Sequence, residues 1–203
     1  MASTKYSDLF PYVLPELVGA SSLQAEAHIR AAVIDFCRRS KVWSFEDDAT
    51  PTVASTRTYD LVPPSGTALV EIKSIYLDGE PLDPSNDDGE SPLDIGTPKT
   101  FRQPSPDAYS LWPTPNAVYS VVVTMTLAPS RASATFPAWI AEKYHDAIVA
   151  GAKSRLMAMP GQLWTNVQQA MFYRSICDTG VAEAQAEASK GFTRATVRTT
   201  PHY

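Results

Sequence analysis

A proline-bounded helical pair in the last third of the chain limits what the remainder can do. Residues 137–159 begin at Pro137, where a fixed φ and a missing N–H cost a first helical turn nothing. Ile140, Tyr144, Ala147, Ile148 and Gly151 then recur on one face, and Ala152, Leu156 and Met159 carry it onward. Pro160 stops the helix by disfavouring helical geometry at Met159, and Pro160-Gly161 is a turn pair. The second helix is predicted to start at Thr165, with Gln168 at capping-box spacing. Running to Lys190, it would span about 39 Å at 1.5 Å per residue. Its stripe is Ala170, Tyr173, Cys177, Val181, Ala184 and Ala188. Val167, Met171, Phe172 and Ile176 make its first half apolar nearly all round, which predicts deep burial. Residues 182–188 alternate Ala with Glu and Gln, giving high helix propensity but a thin apolar stripe. Gly191 is the expected residue after the C-cap.

One more helix precedes this pair. Residues 1–21 read as an apolar extended lead-in around Phe10, Tyr12, Leu14 and Leu17. Ser21 or Ser22 can cap the helix that follows. Leu23, Ala27, Arg30, Ile34 and Cys37 share one face, with Ile29, Val33 and Phe36 beside it. The end is expected near Arg39 or Ser40, where Arg38 and Arg39 suit the negative pole of the dipole.

Between the helices the period changes from 3.6 to 2. Residues 57–62 alternate, Pro63-Pro64 breaks them, and residues 69–77 form a second strand. Asp78-Gly79 is a tight-turn signal with a short return after it. Residues 83–103 are acidic and proline-bearing and read as a long loop. Residues 109–112 are a short strand, and residues 118–127 the strongest one, with Val121, Val123, Met125 and Leu127 on one face. The expected fold class is α+β. It is a helical bundle of one N-terminal and two C-terminal helices, with an inserted small antiparallel β lobe and an extended C-terminal tail. The expected organisation is a discontinuous helical domain over residues 1–50 and 130–190, a β-rich lobe over 51–129 and an arm over 191–203.

The net charge of −5 is unevenly spread. Residues 78–94 hold seven carboxylates and no Lys or Arg, whereas residues 190–203 hold Lys190, Arg194 and Arg198 and no Asp or Glu. A basic end on an acidic body is either a docking arm for an acidic partner or a solvated, frayed terminus. Cys37 and Cys177 both fall on apolar helical faces and are expected as buried free thiols. No stretch is apolar for long enough to span a membrane. The N-terminus lacks the apolar run of a signal peptide, so synthesis in the cytoplasm is expected.

Catalytic chemistry finds no footing. There is no Gly-x-Ser-x-Gly elbow and no glycine-rich phosphate loop. His28, His145 and His202 stand far apart with no neighbour at metal spacing. The acidic run 83–90 fails as a calcium loop because Pro84 takes the position that requires Asp. No catalytic residue, metal ligand or cofactor is therefore assigned, and the chain is expected not to be an enzyme.

The succession of segments resembles the head-to-tail adaptor (connector) proteins of tailed bacteriophages. The residues that carry the likeness are Ile34 through Trp43, Tyr59-Asp60-Leu61, Ile72 through Gly79, Tyr109 through Pro115 and, best of all, Ala147 through Trp164. The resemblance implies a virion neck component, made in the host cytoplasm. Copies of it, commonly twelve, form a ring below the portal, bind a tail or nozzle protein and leave a channel through which genome DNA passes without sequence-specific binding. It assigns portal binding to the arm, with Lys190, Arg194 and Arg198 as ion-pairing residues and Phe192 and Tyr203 as apolar anchors. A ring needs a close subunit interface, and Ala182, Ala184, Ala186 and Ala188 are small enough to supply it. Trp139 and Trp164 are either core residues or interface anchors. The alternatives are another phage tail component, such as a tail-completion or fibre-attachment protein, and a small hydrolase or carbohydrate-binding module working through the acidic loop.

Overall fold

Local chemistry sets the first elements. The structure, a computed structural model, describes residues 2–86 and 94–191. Strand β1 (Ser3–Lys5) leads into a 3-10 turn, a single α-helical turn α1 (Phe10–Val13) and a second 3-10 turn (Leu14–Glu16). The lead-in is thus mostly helical turns and not extended. Pro11 and Pro15 each occupy an early helical position, where the absent N–H is no loss. Helix α2 (Ser22–Ser40) opens on Ser21, whose hydroxyl accepts from the Gln24 amide while the Gln24 side chain accepts from the Ser21 amide. It closes at Lys41, in the left-handed region at φ 55°.

Strands β2 (Ser44–Glu46), β3 (Thr50–Pro51), β4 (Thr58–Asp60), β5 (Thr67–Leu77), β6 (Glu80–Pro81) and β7 (Asp83–Pro84) come next. They are followed by β8 (Ile95–Gly96), β9 (Thr100–Ser105), β10 (Ala108–Trp112), β11 (Thr114–Pro115), β12 (Ser120–Pro129) and β13 (Thr135–Pro137). One sheet runs β2-β12-β5-β6, with β3 also on β12, and a second runs β4-β10-β9-β7. Two-stranded pairings β11-β8 and β1-β13 complete the set. The β5–β6 hairpin turns on Asp78 and Gly79, both at positive φ, 50° and 88°. That pair of conformations is the one a two-residue hairpin asks of Asp-Gly.

The chain divides into two compact units, residues 1–43 with 128–203, and residues 44–127. The second unit buries Leu61, Ile75, Leu77, Phe101, Tyr109, Leu111, Val121, Val123, Met125 and Leu127. In the first unit, α3 (Ala138–Lys143) and α4 (His145–Met157) are separated by a break at Tyr144 (φ −116°), and α5 (Val167–Ser189) follows the turn at Gly161. Helix α4 lies along α5, and α2 packs on both.

The expected helical bundle with a small antiparallel insert is not the architecture. Strand takes 30% of the described residues against 39% helix, so β structure is no minor insert. It is spread over several sheets, and two of its pairings, β8 with β11 and β7 with β9, are parallel. The five helices include one of a single turn and a C-terminal run broken in two at Tyr144. The reason lies in the stretch read as a loop. Pro84 and Pro98 suggested irregular chain, yet edge and terminal strand positions tolerate proline. Short strands β7, β8 and β9 therefore form within residues 83–105.

Candidate functional site

Small residues decide how α5 is set. A Cβ on Gly180 would lie 2.4 Å from the Ala147 Cβ, and one on Gly151 would lie 3.0 Å from the Cys177 Sγ. The backbones of α4 and α5 meet closely because neither glycine carries a side chain. This fixes the rotation of α5, so that Ala170, Cys177, Val181 and Ala184 point into the core. Asn166, one residue later than expected, caps the helix by accepting from the Gln169 amide. The Thr165 hydroxyl is used instead to tie the turn, donating to the Met159 carbonyl and accepting from the Gln162 amide.

The same rotation turns large apolar residues of α5 outward, next to an exposed Leu163 in the turn before it. Leu163 is 93% exposed, Val167 62%, Met171 69% and Phe172 61%. The expectation of deep burial for the first half of this helix is therefore overturned. An apolar sequence all round a helix predicts burial on all sides, but only the Ala170–Cys177–Val181–Ala184 side meets this chain's own core. Val167, Met171 and Phe172 stay largely exposed.

Three charged clamps hold α4 and α5 against their neighbours. The Lys153 Nζ, nearly buried, donates to the Glu16 Oε1 at 2.6 Å, and the Tyr173 hydroxyl donates to the Glu16 Oε2 at 2.6 Å. Burial alone would raise the Glu16 carboxyl, but these two donors outweigh it and hold it below its ordinary range. The hydrogen bond to that carboxylate, aided by burial, pushes the Tyr173 phenol up to about 12. Arg39 on α2 donates to Asp178 at 2.6 Å, and Arg174 joins it. Burial again opposes, and the two guanidinium groups prevail in lowering Asp178. Lys143, then Tyr144, lower Glu187.

Among the grooves on the surface of this unit, two differ sharply in charge. One, of about 370 Å³, lies along α2 and is lined by Ala27, Arg30, Ala31, Ile34, Arg38 and their neighbours Asp35, Arg131 and Arg155. Leu23, Ala27, Arg30 and Ile34 were expected on the buried face. Ile34 is buried as expected, and so is Cys37 of the same predicted face, but the core face of α2 centres on Ala25, Ile29, Ala32, Val33, Phe36 and Ser40, and Leu23 is 79% exposed. The second groove, of about 410 Å³, is bordered by Glu142, Asp146 and Glu183, with Ala147, Ile176 and Gly180 between them.

The residues singled out from the sequence fall as follows. Ala184 is fully buried in the chain's own core, Ala182 and Ala186 are exposed and Ala188 is half-buried. Lys190 caps the C-terminal end of α5, exposed, with Gly191 after it at φ 62°. Phe192, Arg194, Arg198 and Tyr203 lie outside the described residues, as do residues 87–93 of the acidic loop. Trp139 and Trp164 are both half-buried. Cys37 and Cys177 are buried free thiols, and burial pushes Cys37 up to about 12. Among the described residues no group of His, Cys, Asp or Glu is arranged to hold a metal ion. No helix there is long and apolar enough to cross a membrane.

The sequence profile of the SU10 adaptor protein family matches residues 4–200, nearly the whole chain. The chain belongs to the SU10 adaptor protein family. No curated protein matches it. For this SU10-family adaptor the resemblance to phage head-to-tail adaptors therefore stands. Sequence reading placed Val167, Met171 and Phe172 in the core and did not foresee the α2 groove, because periodicity reports apolar faces without saying which molecule covers them.

Proposed function

We propose that this protein is a structural neck component of a phage virion. It assembles as a ring of copies, twelve by the resemblance, and joins the portal of the capsid to the tail or nozzle while leaving a channel for genome DNA. The family match over residues 4–200 supports an adaptor. The observation that carries the assembly reading is the outward set Leu163, Val167, Met171 and Phe172. Large apolar side chains left exposed together at the start of one helix suit an interaction surface. A ring with head-to-tail contacts supplies a neighbour to cover it at every position.

Portal binding falls to the arm, residues 191–203, with Lys190, Arg194 and Arg198 pairing with acidic groups and Phe192 and Tyr203 as anchors. Exposed Ala182 and Ala186 leave room for a neighbouring chain beside α5. The role requires no catalytic group and no cofactor.

Negative-stain imaging of the full chain mixed with its portal tests the reading, and closed rings on the portal are the expected result. Deletion of residues 191–203 should abolish capture by the portal. Undiminished capture would remove the arm from the proposal, and a chain that stays a single copy beside the portal would remove the ring.

A further inference from the structure

Grooves of opposite charge occupy different faces of the helical unit. The α2 groove sets Arg30, Arg38, Arg131 and Arg155 around a floor of Ala27, Ala31 and Ile34, with Asp35 the one carboxylate in its lining and Arg30 bonded to Glu26 beside it at 2.6 Å. Asp35 is already shared between Arg39 at 3.5 Å and Arg155 at 3.4 Å. Among the described residues, neither Arg38 nor Arg131 reaches a carboxylate, and both are exposed. The α5 groove reverses this. Glu142 and Glu183 reach no cation among the described residues, and Asp146 touches only the His145 ring, at 3.2 Å. Lys143, the one lysine there, is committed to Glu187 at 2.8 Å.

The two grooves do not share a side. At about 100° per residue, Ile176 and Glu183 lie roughly opposite Asp178 around α5. Asp178 is the residue that meets Arg39 of α2 at 2.6 Å. The acidic groove is thus on the flank of α5 turned away from α2, while the arginine groove is on α2 itself. A surface with two complementary but different patches assembles head to tail and not as a two-fold dimer.

We propose that the occupant of the arginine groove is the acidic rim of a second copy of this chain. Glu142, Asp146 and Glu183 of one copy meet Arg38 and Arg131 of the next, with Arg30 and Arg155 adding to the local positive field, and Ile176 sits on the Ala27–Ala31–Ile34 floor. This rests on the ring reading above and deepens it by naming the two faces. Opposed charges fix register and select against wrong pairings.

The test uses two full-length variants, Arg38→Glu/Arg131→Glu and Glu142→Arg/Glu183→Arg, with circular dichroism and melting curves showing that each is folded. Sedimentation velocity, with and without the portal, reads the assembly. Each variant alone carries two faces of the same sign and should associate about tenfold or more weakly than the parent chain. Mixed in equal amounts, the two should assemble again, alternating around the ring, because every contact then joins opposite charges. Either variant assembling alone as well as the parent, or a mixture that stays dissociated, overturns the assignment of faces while leaving a parent ring in place. A parent chain that forms no ring even with the portal overturns both readings.

Discussion

Gly180 shows how one missing side chain places a whole surface. Its neighbour across the helix pair is the Ala147 Cβ, 2.4 Å from where a Cβ would stand. Ala147 is too short to move aside, so any larger residue must push the two backbones apart. A valine there gains little in helix propensity and meets this clash, so Gly180→Val is expected to lower stability by about 1–3 kcal/mol. Urea unfolding would show it as a lower midpoint at an unchanged slope. An unchanged midpoint would mean that the two helices stand further apart than this. The glycine was visible in the sequence. Its role was not, because a glycine inside a helical pattern marks close packing only once the partner helix is known.

The clamps on α4 and α5 give the helices a dependence on pH with a definite sign. Glu16, Asp178 and Glu187 are each held below the ordinary carboxylate range in the folded chain. The unfolded chain therefore takes up protons first as the pH falls. Their contribution is fully present above the ordinary carboxylate values and is lost as the pH drops through the lowered ones. The melting temperature should be flat near neutrality and fall in acid, and the triple variant Glu16→Gln/Asp178→Asn/Glu187→Gln should flatten that fall. The pairs are partly exposed, so solvent screening keeps each contribution small, and an acid limb equally steep in the triple variant would show that other groups govern it. Much at this scale was legible beforehand. A serine cap at Ser21, a helix end within a few residues of Pro160, the Asp78-Gly79 hairpin and the buried alternation of Val121, Val123, Met125 and Leu127 all follow from local chemistry. Illegible were β7 and β8, each of which pairs in parallel with a strand about fifteen to twenty residues further on, and β9, whose hairpin with β10 was hidden by the prolines around it. Also illegible was the rotation of α2, whose two neighbouring apolar faces differ in what they meet and not in composition.

For the whole molecule the decisive question is whether the outward apolar set on α5 belongs to the chain's own stability or to its assembly. Met171 and Phe172 are 69% and 61% exposed. If they were core residues, as the sequence pattern suggested, truncation to Ser would cost about 2–5 kcal/mol at each. As surface residues, each should cost within about 0.5 kcal/mol. The double variant Met171→Ser/Phe172→Ser is therefore expected to melt within a few degrees of the parent and to remain monomeric, while losing its place in the ring when mixed with portal. The two readouts separate the possibilities, because a packing residue moves the melting curve first and an interface residue moves only the assembly. A large fall in melting temperature would return these side chains to the interior. A variant that melts and assembles like the parent would leave the outward set without a partner, and the joining role would then have to rest on the charged grooves and the arm.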